Sequence, residues 1–199
     1  MKKILPAILL FASGFASAQQ TMTNFGNLQV HSGTSITGFG NVVNTSTGVF
    51  INNGNLYLRG NITNDQASMA AGAGTLYLNG TSAQQLSGAQ AFRTFRLETN
   101  NTAGITLNNN LRIADLHTFT NGIITTSATN FLVYEAGSSY TGDADSRHVN
   151  GWVKKIGSTN FIYPVGNGTY ARRITVANLS AASEFNVRHR TTTPNYNTV

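Results

Sequence analysis

Two stretches of this chain nearly coincide when one is slid 20 residues along the other: Gly54-Asn55-Leu56-Tyr57-Leu58-Arg59-Gly60 and Gly74-Thr75-Leu76-Tyr77-Leu78-Asn79-Gly80. Each alternates apolar and polar residues with period two between glycines, the pattern of a short strand with one buried face. A strand that returns in nearly the same form after a fixed interval points to stacked supersecondary units. Further apolar-x-apolar triplets occur at Leu28-Gln29-Val30, Val49-Phe50-Ile51, Phe95-Arg96-Leu97, Ile105-Thr106-Leu107, Leu111-Arg112-Ile113 and Leu132-Val133-Tyr134. Helix signals are almost absent. The Ala-rich run Gln66–Ala73 is the sole candidate, and Gly72 and Gly74 favour a loop there.

Two all-β architectures fit this spacing. In a parallel β-solenoid, positions 56/76, 58/78 and 60/80 lie over one another at the strand spacing of about 4.8 Å. Leu then stacks on Leu, each buried side chain contributing about 1.5–3 kcal/mol. Asn-rich corners such as Asn52-Asn53 and Asn108-Asn109-Asn110 suit left-handed backbone and can ladder their amides along the axis. In the alternative, an antiparallel β-sandwich, Asn53-Gly54, Asn79-Gly80 and Asn121-Gly122 would be tight hairpin turns. The repeat favours the solenoid, with about six coils over residues 19–146 and a rod on the order of 30 Å long.

The texture changes near Arg147. Residues 19–146 carry four basic residues against six acidic ones, and residues 147–199 carry seven against Glu184 alone. A small basic antiparallel β module is expected over 147–199. Its first hairpin would pair Gly151–Gly157 with Phe161–Gly166 through a turn at Ser158-Thr159-Asn160, and strands at Arg172–Ala177 and Phe185–Arg190 would follow. A β module ending at Val199 would leave an unpaired edge. The expectation is therefore an incomplete module at the start of a longer protein, with a short natural product as the alternative.

Residues 1–18 read as a secretory signal peptide: Met1-Lys2-Lys3, an apolar run from Ile4 to Phe15, and Ala16-Ser17-Ala18 before Gln19. The run is too short to span a bilayer, which takes about 20 residues, and no later segment is apolar enough. An extracellular or cell-surface location follows as the expectation. The chain contains no cysteine, which excludes a disulfide-stapled mini-domain, a thiol nucleophile and a Cys-based zinc site. Only 10% of residues are charged, which counts against disorder, and 40% are apolar and regularly spaced, so a core can form without disulfides.

Taken together, the segments Gly74–Gly88, Phe95-Arg96-Leu97, Ala103–Leu107, His148-Val149-Asn150-Gly151 and Phe161-Ile162-Tyr163-Pro164-Val165-Gly166-Asn167-Gly168 resemble exported proteins of gliding, type IX-secreting bacteria. Those proteins are described as adhesin-like or gliding-associated. The resemblance covers most of the chain after the signal, and its Tyr-Pro-Val-Gly-Asn element is the more specific part. It implies an outer-membrane-associated or extracellular scaffold and transfers no catalytic residue. Members continue into further β domains and a C-terminal sorting domain, neither of which is visible in this sequence.

Few residues carry candidate chemistry. Gly142-Asp143-Ala144-Asp145-Ser146-Arg147-His148 is the densest polar cluster. Asp143 and Asp145 are candidate Ca²⁺ ligands, although the EF-hand Gly and distal Glu are missing. With Arg147 and His148 they are also candidate acid/base groups of a polysaccharide lyase or hydrolase, and a solvated loop joining two modules is the simplest reading. Tyr57 and Tyr77 point outward if the flanking leucines point inward. They are candidate ligand-binding residues, a stacking platform for sugars or a partner protein, or simply cover for the sheet. His31, His117, His148 and His189 show no ligand-pair spacing, and no nucleophile elbow or phosphate loop occurs. Lys154, Lys155, Arg172, Arg173, Arg188 and Arg190 form a basic tail. Arg172 and Arg173 would fall on opposite strand faces, and an anionic glycan is a better partner for an exported chain than nucleic acid.

The sequence therefore leads to an expectation of a secreted or surface β-solenoid scaffold, adhesin-like, without catalytic residues or an obligate cofactor. It would meet an extracellular glycan or a surface protein and bind no nucleic acid. A polysaccharide-active β-helix enzyme and a carbohydrate-binding module are the alternatives, and the oligomeric state is not encoded legibly.

Overall fold

A computed structural model describes residues 20–190 of the chain. The expected signal peptide at 1–18 and the last residues of the expected C-terminal module lie outside the described residues. The described fold is all-β, and neighbouring coils run parallel, as the 20-residue repeat requires and a sandwich does not. Leu56 pairs with Leu76, Tyr57 with Tyr77 and Leu58 with Leu78 in register. The rod completes about six turns, counted on a face of six strands, from Ser35–Gly38 to Ser139–Thr141.

Each full turn uses up to three strands rather than one. The first face is an eight-stranded sheet running from Met22–Asn24 to Val165–Gly166, and the second is the six-stranded face. The third face is broken. Asn27–Val30 pairs with Val49–Asn52, no strand forms across residues 65–74, and the face resumes at Phe92–Thr94. It then stacks Leu111–Ile113, Leu132–Tyr134 and Val153–Gly157 in parallel.

Side chains at equivalent positions form internal columns, because a parallel in-register ladder places like residues directly above one another. On the six-stranded face one column reads Ile36, Leu56, Leu76, Leu97, His117, Tyr140. On the third face Phe92, Leu111, Leu132 and Val153 form another. Leu56, Leu76, Leu97, Leu111, Leu132 and Val153 are all buried.

Asparagine serves the corners differently from the expectation. Left-handed backbone is supplied chiefly by glycines such as Gly33, Gly122 and Gly137. Among the described non-glycine residues only Ser68 and Asn178 have positive φ. The amide ladder forms inside, at the ends of first-face strands. Asn24 Nδ2 donates to Asn44 Oδ1 at 2.8 Å, and Asn44 Nδ2 donates to Asn64 Oδ1 and to Gln66 Oε1, both at 2.8 Å. Corner asparagines instead cap backbone: Asn52 Oδ1 accepts from Gly54 N, and Asn110 Oδ1 accepts from Phe131 N.

Past Arg147 the expected hairpin between Gly151–Gly157 and Phe161–Gly166 does not form. Val153–Gly157 continues the third face in parallel above Leu132–Tyr134 and takes Ser183–Val187 as an antiparallel neighbour. Phe161–Tyr163 pairs antiparallel with Ile174–Val176. Val149–Asn150 and Val165–Gly166 extend the first face. The reason is register: Val149 and Val165 fall over Ile124, and Val153 falls over Leu132. Stacking buries these valines, whereas a free two-stranded hairpin is marginal in water. The small antiparallel sheet thus exists, built from different partners, and Ser183–Val187 ends the parallel growth of the third face.

Candidate functional site

The outward residues of the six-stranded face alternate with the buried leucines, so they too form columns. Thr37, Tyr57, Tyr77, Glu98, Thr118 and Thr141 occupy one of them. Tyr57 and Tyr77 are half-buried and stack face to face, with ring centroids 4.2 Å apart and planes inclined by 14°. The Tyr77 hydroxyl is raised above its ordinary pKa by partial burial and by the neighbouring Tyr57. Immediately past the ends of these strands, two residues beyond Thr37, Tyr57 and Tyr77, come Phe39, Arg59 and Asn79. The Arg59 guanidinium lies 5.0 Å from the centroid of Phe39, which is 61% exposed.

Beside these groups runs a corner groove of about 270 Å³ lined by Phe39, Asn41, Arg59, Asn61, Thr81 and Ser82 among others. Asn41 Oδ1 accepts from Asn61 N and Asn61 Oδ1 accepts from Gln85 N, both at 2.9 Å. These bonds orient both amide groups and engage their oxygens. The arrangement offers aromatic faces, a cation and polar side chains on one rigid surface. Sequence spacing located the two tyrosines. It missed Phe39 and Arg59, whose signal was the same two-residue alternation.

The Asp143–His148 segment is a stapled loop. Arg173 Nε donates to Asp143 Oδ2 at 2.6 Å and Arg173 Nη2 to Asp143 Oδ1 at 3.1 Å. Asp145 Oδ1 accepts from Ala171 N at 2.9 Å. Arg147 donates to the carbonyl oxygens of Gly142 and Thr120. His148 is fully buried, and its Nε2 accepts from Gly168 N at 3.1 Å. The sequence neighbours therefore stay near one another in the fold, but Asp143, Asp145 and His148 Nε2 are engaged by the 168–173 segment and Arg147 by the carbonyls of Gly142 and Thr120. Among the described residues no group of three His, Asp or Glu side chains is placed to hold a metal ion.

Three arrangements escaped the sequence reading. His117 occupies the leucine column, fully buried, with Nε2 3.1 Å from Thr99 Oγ1 and Nδ1 2.7 Å from the Tyr134 hydroxyl. Burial lowers its pKa to about 3, so it is neutral at physiological pH. Lys155, expected in a basic surface tail, is buried. Its Nζ donates to the carbonyls of Glu135 at 2.6 Å and Ser138 at 2.9 Å, and burial lowers its pKa. Finally, Arg93 and Arg112 stand one above the other on the third face and converge on Glu135. Burial alone would raise the Glu135 pKa, but the hydrogen bonds from Arg93 and Arg112 outweigh it and hold the carboxylate below its ordinary range. Register alone brings the two arginines together. The third-face break beside them has no sequence signature beyond the Ala-rich loop.

Compared with known protein families, curated proteins and solved structures, the chain shows no match. Among the described residues no helix is long and apolar enough to cross a membrane.

Proposed function

We propose that this chain is an exported, surface-associated scaffold with adhesin-like contact duties, and that its contact surface is the outward side of the six-stranded face around Tyr57 and Tyr77. The observation that carries this reading is the Tyr57–Tyr77 stack, flanked by Phe39 and Arg59. Rigid aromatic side chains with adjoining hydrogen-bonding groups are favoured anchors in recognition surfaces, because little side-chain entropy is lost when they are covered. An extracellular glycan or the surface protein of another cell fits such a platform.

The interactions of the Asp143–His148 segment support a non-catalytic role. A general base needs a free lone pair, and His148 Nε2 already accepts from Gly168 N. Calcium bridging Asp143 and Asp145 stays a proposal, and it requires displacing Arg173 from Asp143. The platform is tested on a glycan array and on intact cells with Tyr57→Ala and Tyr77→Ala. Each is expected to weaken retention about tenfold, in line with loss of one anchor worth about 1–2 kcal/mol. Unchanged retention by both variants would remove the platform. Depolymerisation of a glycan that disappears in Asp145→Ala would replace the scaffold reading with the enzyme.

A further inference from the structure

The break in the third face opens a notch. In the third coil residues 65–74 run as an irregular loop, so Phe92–Thr94 has no strand on its near side and forms the edge of the five-stranded sheet. The resulting cleft measures about 380 Å³ and is lined by Ser68, Met69, Gln90, Ala91, Arg93 and Arg112. That volume lies within the range of small-molecule sites, about 300–1,000 Å³. Ser68 is held at φ 52°, a conformation that costs a non-glycine residue free energy and is enriched at binding sites.

The two arginines bring unequal remainders to this notch. Arg93 uses Nε and Nη2 on Glu135, at 2.8 and 2.6 Å, while Arg112 uses only Nε, at 2.8 Å. Among the described residues, Arg93 Nη1 and both terminal nitrogens of Arg112 take no protein acceptor. The Glu135 side chain is 11% exposed, against 37% for Arg93 and 40% for Arg112. The carboxylate therefore sits beneath its partners and fixes them. The exposed Glu184 carboxylate, close enough to interact with Arg112, is itself paired with Lys154, so the cluster keeps a net positive charge. Guanidinium groups match carboxylate and sulfate geometry through paired N–H donors. Ser68 and Gln90 add neutral hydrogen-bonding groups suited to hydroxyls, and the buried Met69 beside Ala91 adds an apolar floor.

We infer that the notch formed by residues 65–74 over Arg93 and Arg112 is a binding site for an acidic sugar unit, whose carboxylate or sulfate is received by the two guanidinium groups. This surface is formed by a different face from the Tyr57–Tyr77 platform and does not depend on it. The probes are polygalacturonate for carboxylate, dextran sulfate for sulfate ester, and uncharged dextran as the backbone control, titrated by calorimetry at two salt concentrations. Wild type should bind one or both polyanions and ignore dextran, and the better ligand identifies the anion. Arg112→Gln leaves the paired Arg93–Glu135 contact in place and should weaken binding at least tenfold. Arg172→Gln removes one equal charge from an exposed arginine elsewhere and should change affinity less than twofold, as should Tyr57→Ala. If Arg112→Gln does not fold by thermal melting, Arg112→Lys serves instead, with a several-fold loss expected because an ammonium cannot present the paired donors. Equal losses in Arg112→Gln and Arg172→Gln, unaltered affinity in the Arg112 variant, or no binding to either polyanion would each overturn the site.

Discussion

At the scale of single residues, the interior columns decide what the chain tolerates. Leu76 lies between Leu56 and Leu97, fully buried. An aspartate there would be charged, buried and without a partner. Leu76→Asp is expected to cost more than about 4 kcal/mol and to abolish cooperative unfolding, which circular dichroism melting would record. His117 makes the opposite point, a polar group admitted to an apolar column because Thr99 and Tyr134 satisfy both ring nitrogens. Its folded pKa of about 3 lies below the ordinary 6.5. The unfolded chain therefore takes up a proton near pH 6.5 and the folded chain does not. The stability it supports is complete above pH 6.5 and is lost as pH falls toward 3, at up to about 1.4 kcal/mol per pH unit. Urea midpoints at pH 7.5 and 5 should differ in wild type and converge in His117→Leu, even if that variant is less stable at both. No sequence pattern announced this residue, because a histidine at a leucine position becomes visible only once the register is known.

At the scale of elements, the coil is a three-strand unit, and only part of it was legible. Strands with two inward apolar residues, such as Asn55–Leu58 and Leu111–Ile113, advertise themselves by alternation. First-face strands such as Val42–Asn44 and Ile62–Asn64 place one apolar residue and one asparagine inward. They look polar until the amide ladder supplies the missing hydrogen bonds. Asn44→Ala breaks two donated bonds and one accepted bond in this ladder. It should cost about 2–3 kcal/mol by urea denaturation, more than an exposed asparagine would, because buried partners are left unsatisfied. The corners divide likewise. Gly122 has φ 89° and a Cβ there would collide with the backbone of Asn101, whereas Gly137 has φ 81° and open space around it. Gly137→Ala should cost about 1–2 kcal/mol for left-handed backbone alone. Gly122→Ala should cost more, since the stacked coil must also move, and paired thermal melts would rank them.

At the scale of the whole molecule, one face of the rod carries aromatic anchors and another carries a cationic notch. Both follow from how side chains alternate along strands that lie in register. The candidate site was half visible in advance. Tyr57 and Tyr77 fell to spacing, but Arg93 and Arg112 lay outside the conspicuous basic tail, part of which is consumed by the fold: Lys155 is buried, Lys154 pairs with Glu184 and Arg173 pairs with Asp143. Charge counted along a sequence says little about where charge emerges when coils stack.

The stacking itself admits a direct measurement, because the natural chain contains no cysteine. Thr37, Glu98, Thr118 and Thr141 lie on one outward column, with Glu98 three strands, Thr118 four and Thr141 five from Thr37. Spin labels on Thr37→Cys paired in turn with Glu98→Cys, Thr118→Cys and Thr141→Cys should give backbone separations near about 14, 19 and 24 Å, rising by one strand spacing at each step. Separations that fail to increase in that order, as strands divided between the two sheets of a sandwich would produce, would contradict the solenoid and every surface derived from it.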